Sequence, residues 1–363
     1  MRLRLAVMSV ALLVAGMLTA CSAETGDADG PDEPQVSVSG SVWVANEGAD
    51  SLTVLDAATD AVVRTVEGIK APHNVQLGSG GDIAYAVSGS TNTVVAVDAA
   101  AYAVHAVAAT GSAPAHVIEA PNGNVYVTNA GDGTVSVYRG AALTPVATID
   151  VGGMPHGLRA AAGGSVIVVA NTSEGRLDLI DPTTNAAVGS VPVGVKPAQV
   201  AVSADGRYAY SGVSEPPTVV KVDLNTRKVV GSTNVPAPPV QLYLTADEAA
   251  VLSANQGTAQ TPGRTVSVID TETMTPQAVV EAGSGPHGVV IDDSATRAWV
   301  TNTFDDTVSV IDLEEPSVSA TIPVGHQPNG ISYSPRPPAP ASTPTTTLNL
   351  PAPEQHSGHG HGH

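Results

Sequence analysis

Histidine is the residue whose spacing in this sequence first suggests chemistry. Ten histidines occur in 363 residues, and four of them crowd into the final segment HSGHGHGH. Each neutral imidazole offers a lone pair to a metal ion, and the intervening glycines let the chain wrap around that ion. We therefore expect a metal-capturing tail, against the alternative that the segment is an affinity tag. Its imidazoles are those of His356, His359, His361 and His363.

Five further histidines lie in or beside a short motif that is centred on a proline. His73, His156 and His287 directly follow the proline, His116 is two residues after it, and His326 is two residues before it. The ordinary explanation is that histidine completes a turn that each copy repeats. Alanine, valine and asparagine replace it in other copies, so the turn does not require it. Imidazoles that converge with carboxylates suit Zn²⁺ or Cu²⁺, and we predict a metal site formed by these five histidines.

The prolines of this motif recur with nearly constant spacing. Successive copies are 41 or 42 residues apart, except for one interval of 47 that contains an insertion at 255–264. Each copy carries four short Val-, Ile- and Thr-rich stretches between Gly or Asp turns, without helical periodicity. Four strands in about 42 residues are typical of a propeller blade, so we predict an all-β, seven-bladed β-propeller. The prolines are Pro72, Pro114, Pro155, Pro197, Pro239, Pro286 and Pro328.

The two ends of the repeat region predict how the ring closes. The first copy starts at 42–46 with what would be its second strand, and the last copy ends at 330–333 with a first strand. Three strands from the front and one from the back would complete a single blade and leave no open edge in the ring. We therefore assign residues 36–334 to the propeller, with 3+1 strand closure of the ring.

One repeated tetrapeptide links the chain to a known family. Tyr126-Val127-Thr128-Asn129, and in degenerate form Trp299-Val300-Thr301-Asn302, resemble the repeat of Y-V-T-N family β-propeller proteins, and the resemblance covers residues 42–334. It implies that the first strand of each blade lines a central channel and that the proline motif lies at one mouth of this channel. Loops at the same mouth would add polar side chains. These are Glu47, Asp50, Asp132, Glu174, Asp305 and Asp306, with Asn46, Asn129, Asn171, Asn255 and Asn302 at strand ends.

The segments outside the repeats predict export and a lipid anchor. Residues 1–20 have a basic start, an apolar stretch and the residues Leu-Thr-Ala before Cys21, which resemble the lipobox of bacterial lipoproteins. We predict cleavage before Cys21 and its acylation, which would attach the chain to the extracytoplasmic face of the bacterial cell membrane. The alternative is an ordinary secretory signal. Residues 21–35 would be an acidic linker, 335–355 a Pro/Thr-rich linker and 356–363 the His-rich tail.

The composition argues against several partners. The net charge of −19 disfavours binding to nucleic acid or to an anionic membrane surface. Cys21 is the sole cysteine, so neither a disulfide within the chain nor a covalent c-type haem motif can form. We expect a monomer whose fold is held together by packing alone.

Three functions are compatible with the sequence. The histidines favour a protein that binds a transition metal, zinc first and copper second. This is similar to periplasmic zinc metallochaperones of the Y-V-T-N type, which pass metal to the solute-binding protein of an importer. The alternative is a scaffold propeller that docks an envelope protein. The second alternative is a lactonase-like or streptogramin-lyase-like enzyme that uses His and Glu at the same mouth.

Overall fold

Short β-strands make up almost all of the folded chain. The computed structural model describes residues 38–340 and 343–353. Among these residues, no helix has the length and apolar character needed to cross a membrane. A single 3-10 turn, Glu47–Ala49, is the helical element of this part of the chain. Cys21 and the four histidines of the tail lie outside the described residues, so the predictions made for them stay predictions.

The strands follow the repeats in chain order. The first half of the chain contains β1 (Ser41–Asn46), β2 (Ser51–Asp56), β3 (Val62–Glu67), β4 (Pro72–Leu77), β5 (Ile83–Ser88), β6 (Thr93–Asp98), β7 (Ala103–Ala109), β8 (Pro114–Glu119), β9 (Asn124–Asn129), β10 (Thr134–Arg139), β11 (Thr144–Asp150), β12 (Pro155–Ala160), β13 (Ile167–Asn171), β14 (Arg176–Asp181) and β15 (Ala186–Pro192). The second half contains β16 (Val200–Val202), β17 (Tyr208–Ser214), β18 (Pro217–Asp223), β19 (Lys228–Asn234), β20 (Pro239–Leu244), β21 (Ala250–Gly257), β22 (Pro262–Asp270), β23 (Pro276–Glu281), β24 (Pro286–Ile291), β25 (Arg297–Asn302), β26 (Thr307–Asp312), β27 (Ser317–Pro323), β28 (Pro328–Ser334) and β29 (Thr345–Thr347).

These strands form seven sheets, one for each repeat. Six sheets contain four consecutive strands each, from β4–β7 to β24–β27. The remaining sheet joins β28, near the end of the chain, to β1, β2 and β3 through antiparallel pairing of β28 with β1. The predicted seven-bladed β-propeller and its 3+1 closure are therefore confirmed. We number the blades 1 to 7, beginning with this closing sheet.

The inner strands of the blades enclose a central channel. Each inner strand contacts the inner strand of the next blade, and β24, β28 and β4 complete the circle. All inner strands run in the same direction along the channel. We name the face where they begin the upper face and the face where they end the lower face. Because strands alternate in direction within a blade, the second and fourth strands also end at the upper face.

The hydrophobic core is divided among the interfaces between blades. Each of the seven clusters of buried apolar side chains among the described residues combines side chains from two neighbouring blades. Trp43 stacks on Tyr102 between blades 1 and 2, and Trp299 stacks on Tyr333 between blades 7 and 1. The middle strands are buried on both faces, which explains their nearly continuous apolar sequences. Packing between blades therefore fixes the diameter of the channel.

The segment after the last inner strand also contributes to the fold. Residues 335–340 and 343–353 follow the last inner strand, and β29 pairs with β3 as a parallel fifth strand at the outer edge of blade 1. Arg64 donates a hydrogen bond to Thr346, and Leu348 is buried. The stretch that we interpreted as an extended linker thus covers the outer edge of the closing blade, an edge that would otherwise present unpaired backbone groups.

Candidate metal centre

Each inner strand begins with a sharp corner at the rim of the channel. In five of the seven copies, the residue before the proline adopts a left-handed conformation, as at Ala71 and Ala113, with φ of 41° and 49°. In three copies, a polar side chain of the preceding blade accepts a hydrogen bond from the backbone N–H of this residue. Asp50 does so for Ala71 and Asn92 for Ala113. These contacts fix the direction in which the following residues enter the channel.

Three histidines from neighbouring blades meet just inside the upper mouth. One ligand atom from each of His73, His116 and His156 lies within 4.8 Å of those of the other two. Their ring centroids are separated by 5.6 Å for His73 and His116, 5.3 Å for His73 and His156, and 4.8 Å for His116 and His156. We name these residues the three-histidine cluster. The structure therefore brings together three of the five histidines that the proline motif placed at this mouth.

His287 adjoins the cluster from blade 7. Its ring centroid lies 6.0 Å from that of His73, and 6% of the residue is exposed. Its Nδ1 is buried and has no hydrogen-bond partner among the described residues. Buried polar atoms are nearly always paired in folded proteins, so Nδ1 of His287 is a candidate additional metal ligand beside the cluster.

His326 is in a different environment. Its side chain is 61% exposed, and its Nδ1 lies 3.0 Å from a carboxylate oxygen of Asp306. Because it precedes the corner of β28 rather than following it, the chain leaves it on the outer rim. The structure does not bring His326 to the other four histidines.

Hydrogen bonds show which ring nitrogen carries the proton in two imidazoles of the three-histidine cluster. Nδ1 of His73 lies 3.1 Å from Oε2 of Glu47, and Nδ1 of His156 lies 2.9 Å from the carbonyl oxygen of Ala198. Both partners accept hydrogen bonds, so Nδ1 carries the proton and Nε2 keeps a free lone pair in each neutral ring. Nε2 of His73 is buried without a partner. A carboxylate behind a histidine is the usual second-shell arrangement around a protein-bound metal.

His116 has the opposite proton arrangement. The amide nitrogen of Gln199 donates to Nδ1 of His116 at 3.2 Å, while the amide oxygen of Gln199 accepts the backbone N–H of Val200 at 2.9 Å. The second bond fixes which end of the amide faces the imidazole. Nδ1 of His116 is therefore an acceptor, and its proton resides on Nε2. Metal binding through His116 requires loss of this hydrogen bond, whichever ring nitrogen becomes the ligand.

Burial keeps these imidazoles neutral. Desolvation lowers the pKa of His116 well below its usual value, and the neighbouring His156, His73 and Arg159 lower it further. Desolvation and the proximity of His73 lower the pKa of His156 to about 4. Desolvation likewise lowers the pKa of His287 to about 3. These three rings are unprotonated at neutral pH, so their lone pairs are available without competition from protons.

Glu47 supplies the negative charge beside the cluster. Burial alone would raise the pKa of Glu47, but the hydrogen bond and charge of His73 and the hydrogen bond from Asn329 lower it overall. The side-chain amide of Asn329 donates to the same oxygen, Oε2, that faces His73. Glu47 therefore stays ionised and holds the ring of His73 in one orientation.

The other polar residues predicted at this mouth serve the fold. Four of the remaining carboxylates accept hydrogen bonds from backbone N–H groups: Asp50 from Ala71, Asp132 from Ser112, Asp305 from Ser284 and Asp306 from Gln327. The fifth, Glu174, accepts a hydrogen bond from the guanidinium of Arg176. The strand-end asparagines are buried, and their amides donate to polar side chains of the next strand; they are Asn46, Asn129, Asn171, Asn255 and Asn302. Glu47 is the one predicted carboxylate that contacts the three-histidine cluster.

The donor set fits a small transition-metal ion. Zn–N bonds are about 2.0–2.1 Å long, so two nitrogens on a tetrahedral zinc ion lie about 3.3 Å apart. The cluster would have to close by at most about 1.5 Å from its 4.8 Å limit.

Comparison with known proteins finds a partial family match. Residues 120–254, which include His156, match the family described as Cytochrome D1 heme domain. This span is less than half of the chain. No curated protein matches the sequence.

Solved structures share the fold at low sequence identity. Hydrazine synthase of Kuenenia stuttgartiensis superposes with a TM-score of 0.66 at 19% identity, covering 73% of this chain and 90% of that one. A candidate 6-phosphogluconolactonase of Bacteroides fragilis gives 0.69 at 15% identity, covering 83% and 100%. Dihydro-heme d1 dehydrogenase NirN in complex with DHE gives 0.61 at 14% identity, covering 80% and 74%.

These likenesses show the fold and leave the activity open. They do not confirm the resemblance to Y-V-T-N proteins or to zinc metallochaperones, which continues to rest on the repeats and the histidines. The chain is a seven-bladed β-propeller with a histidine cluster at one mouth of its channel. Part of its sequence resembles a haem d1 domain, and its fold is shared with a candidate lactonase.

Proposed function

We propose that this protein is an envelope-tethered carrier that captures a transition metal, zinc above all, in the three-histidine cluster. One observation carries the proposal: three imidazoles from adjacent blades, one buried and two partly buried, place ligand atoms within 4.8 Å of one another. Four of the seven blades lack histidine directly after the corner proline, so the fold itself does not require it. Imidazole is a preferred ligand of zinc and copper, and zinc takes three such ligands plus one open position in exchangeable sites.

The environment of the cluster supports reversible capture of an ion. His116 and His156 are unprotonated at neutral pH because burial lowers the pKa of each. Glu47 places one negative charge behind His73, an arrangement that orients a metal-bound imidazole. His116 must give up its bond to Gln199 on binding. This loss weakens the site moderately, as suits a carrier that later releases its metal.

The course of the last described residues supports a role for the tail. β29 runs parallel to β3, and β3 ends at the upper face, so residues 348–353 leave the fold toward the mouth that holds the cluster. Residues 354–363 can span roughly 33 Å when extended, whereas four strands of a blade are roughly 14 Å wide. The tail histidines can therefore reach the three-histidine cluster. We propose that they collect the ion and deliver it to that cluster.

The lipid anchor and the receiving partner belong to the same proposal. Acylation of Cys21 would hold the carrier at the extracytoplasmic face of the membrane, where an importer needs its metal. The solute-binding protein of such an importer is the proposed recipient. Exchange through an open coordination position on the cluster would allow transfer without release of the ion into solvent.

A second candidate is an enzyme of the lactonase type. It is favoured by the pair formed by Glu47 and His73, in which Nδ1 lies 3.1 Å from the carboxylate and Nε2 is free to take up a proton. Such a pair can act as a general base on water. The metal proposal ranks higher because it uses all three imidazoles, whereas the enzyme uses one.

Calorimetric titration of Zn²⁺ tests the proposal. We compare the protein lacking residues 1–23 with the same protein stopped at Gln355, after removal of bound metal with a chelator. The shorter chain should retain one tight site, and the longer chain should bind at least one additional ion. If all binding disappears with residues 356–363, the cluster does not hold metal and the scaffold function is favoured. If the shorter chain hydrolyses lactones without added metal, the enzyme is favoured.

A further inference from the structure

Each inner strand also contributes one residue below the histidines to a second ring of positions, and five of these seven residues line a cavity. The ring is formed by the residue four positions after each corner proline. Its members are Gln76, Ile118, Arg159, Ala201, Tyr243, Val290 and Ser332. Arg159 is the only charged residue of this ring. A cation placed among apolar and neutral side chains requires a compensating anion or extensive hydrogen bonding.

Arg159 lacks both forms of compensation among the described residues. Its guanidinium donates one hydrogen bond, from Nη1 to the carbonyl oxygen of Leu158 at 3.1 Å. No carboxylate in the described part of the chain lies within 4.0 Å of it, although seven pairs of Lys or Arg with Asp or Glu occur there. Burial lowers the pKa of Arg159. Since a guanidinium has five N–H donors, most of its donor capacity is unused by the protein.

The unused donors face a cavity at the lower end of the channel. This cavity has a volume of about 370 Å³ and is lined by Arg159 together with Gln76, Tyr243 and Thr245 on its polar side. Its apolar side includes Ile118 and Leu242. A volume of this order lies near the lower end of the range for small-molecule sites, roughly 300–1,000 Å³. The lining thus combines the planar, positively charged guanidinium of Arg159 with mostly apolar side chains.

Two carboxylates at the cavity are already engaged elsewhere. Oε2 of Glu119 accepts the backbone N–H of Ser79 at 3.1 Å, and Oε1 of Glu248 accepts the backbone N–H of Ala204. Each therefore joins its own blade to a turn of a neighbouring blade. They leave Arg159 unpaired, and their charges disfavour ligands that carry more than one negative charge.

We propose that the lower end of the channel is a binding site for a small organic monocarboxylate with an apolar body. Its carboxylate would take two parallel hydrogen bonds from the Arg159 guanidinium, the geometry that this side chain prefers. Its apolar part would pack against Ile118 and Leu242, and the hydroxyl of Tyr243 and the amide of Gln76 would orient any further polar group. This site lies below the three-histidine cluster in the same channel, and it is tested below without metal because Arg159 is close enough to His116 to lower the pKa of that imidazole.

The test uses the whole propeller with its C-terminal segment, in the presence of a chelator. Acetate, octanoate, benzoate and benzamide are titrated by calorimetry. Benzoate or octanoate should bind with a dissociation constant on the order of 1 mM or tighter. Benzamide has the shape of benzoate without its charge, and it should bind roughly tenfold more weakly. Equal binding of benzoate and benzamide, or no binding of any carboxylate, would overturn the proposal.

Variants of the arginine assign the site. Arg159→Met should weaken benzoate binding by roughly tenfold or more. Arg159→Lys should give an intermediate loss, because lysine keeps the charge but lacks the planar guanidinium that forms two parallel hydrogen bonds. Arg139→Met is the matched control, since Arg139 is exposed at the end of β10. If Arg159→Met does not fold, Arg159→Lys decides the matter. Unchanged benzoate binding in Arg159→Lys, or inorganic phosphate binding more tightly than benzoate, would contradict a monocarboxylate site.

Discussion

His156 and His326 belong to the same repeated motif and the same face, yet they differ in almost every physical property. His156 follows its proline, points into the channel and is unprotonated because burial lowers its pKa to about 4. His326 precedes its proline, is 61% exposed and pairs with Asp306. One side chain is held without a charge inside the channel, and the other contacts a carboxylate on the surface. A difference of three positions relative to the proline therefore determines whether a histidine enters the channel or lies on its outer rim.

The largest expected effect separates these two histidines directly. His156→Ala should weaken Zn²⁺ binding to the tail-less protein by about 100-fold or more, because two imidazoles remain where three were. His326→Ala should leave the affinity within about twofold, since an exposed pair contributes little. Calorimetry on both variants provides the measurement, and circular dichroism shows that each is folded. Equal losses of Zn²⁺ affinity in the two variants would mean that the different positions of His156 and His326 do not affect metal binding.

The second effect concerns acid stability of the metal-free protein. The unfolded chain takes up a proton at each histidine near pH 6.5, whereas folded His156 resists protonation down to about pH 4. Its contribution is therefore fully present above pH 6.5 and is lost as the pH falls from 6.5 to about 4, amounting to about 3 kcal/mol. Urea unfolding at several pH values should show this decline. His156→Gln should make the decline smaller, with the remainder due to His116 and His287, while His326→Gln should leave it unchanged; a decline of equal slope in both variants would contradict the account.

A smaller effect is expected from the carboxylate behind the cluster. Glu47→Gln should weaken Zn²⁺ binding by about 10- to 100-fold, the usual cost of losing a second-shell carboxylate. Glu174→Gln is the matched control, because Glu174 also lies at the upper face but pairs with Arg176. Competition with a zinc-sensitive dye measures both. Loss of affinity in the control variant would indicate a general charge effect rather than a specific contact with His73.

The smallest effect has the opposite sign. Gln199→Glu keeps an oxygen for the N–H of Val200 and offers a second oxygen to Nδ1 of His116. The proton would then move to Nδ1, and Nε2 would become a free ligand. We expect Zn²⁺ to bind about tenfold more tightly to this variant. Weaker binding would show that His116 does not limit the affinity of the cluster.

The sequence was sufficient to predict the fold, because seven repeats show the same strand pattern even where the strand signal of a single repeat is weak. Seven copies of one strand pattern, out of phase at the two ends, determine both the number of blades and the closure through β28 and β1. It could not predict β29. Three threonines in a Pro-rich stretch carry little strand signal, and their pairing depends on the exposed edge of β3. That edge is a tertiary feature.

The candidate site was only partly predictable. The proline motif placed the histidines at one mouth, but strand alternation alone would put His73 and His116, which occupy successive motif positions, on opposite faces of the sheet. Irregular pairing after Pro72 and Pro114 changes the direction of these side chains. The role of Gln199 and the isolation of Arg159 also depend on the neighbours across the channel. No spacing in the sequence reveals those neighbours.

The central claim is that the three-histidine cluster holds a metal ion, and anomalous diffraction from zinc-loaded crystals tests it most directly. Crystals of the tail-less propeller should show one strong peak at the zinc edge, about 2.0–2.1 Å from a ring nitrogen of each of His73, His116 and His156. Data collected below the edge should lack this peak. A peak elsewhere on the surface, or none at the upper mouth at saturating zinc, would contradict the account.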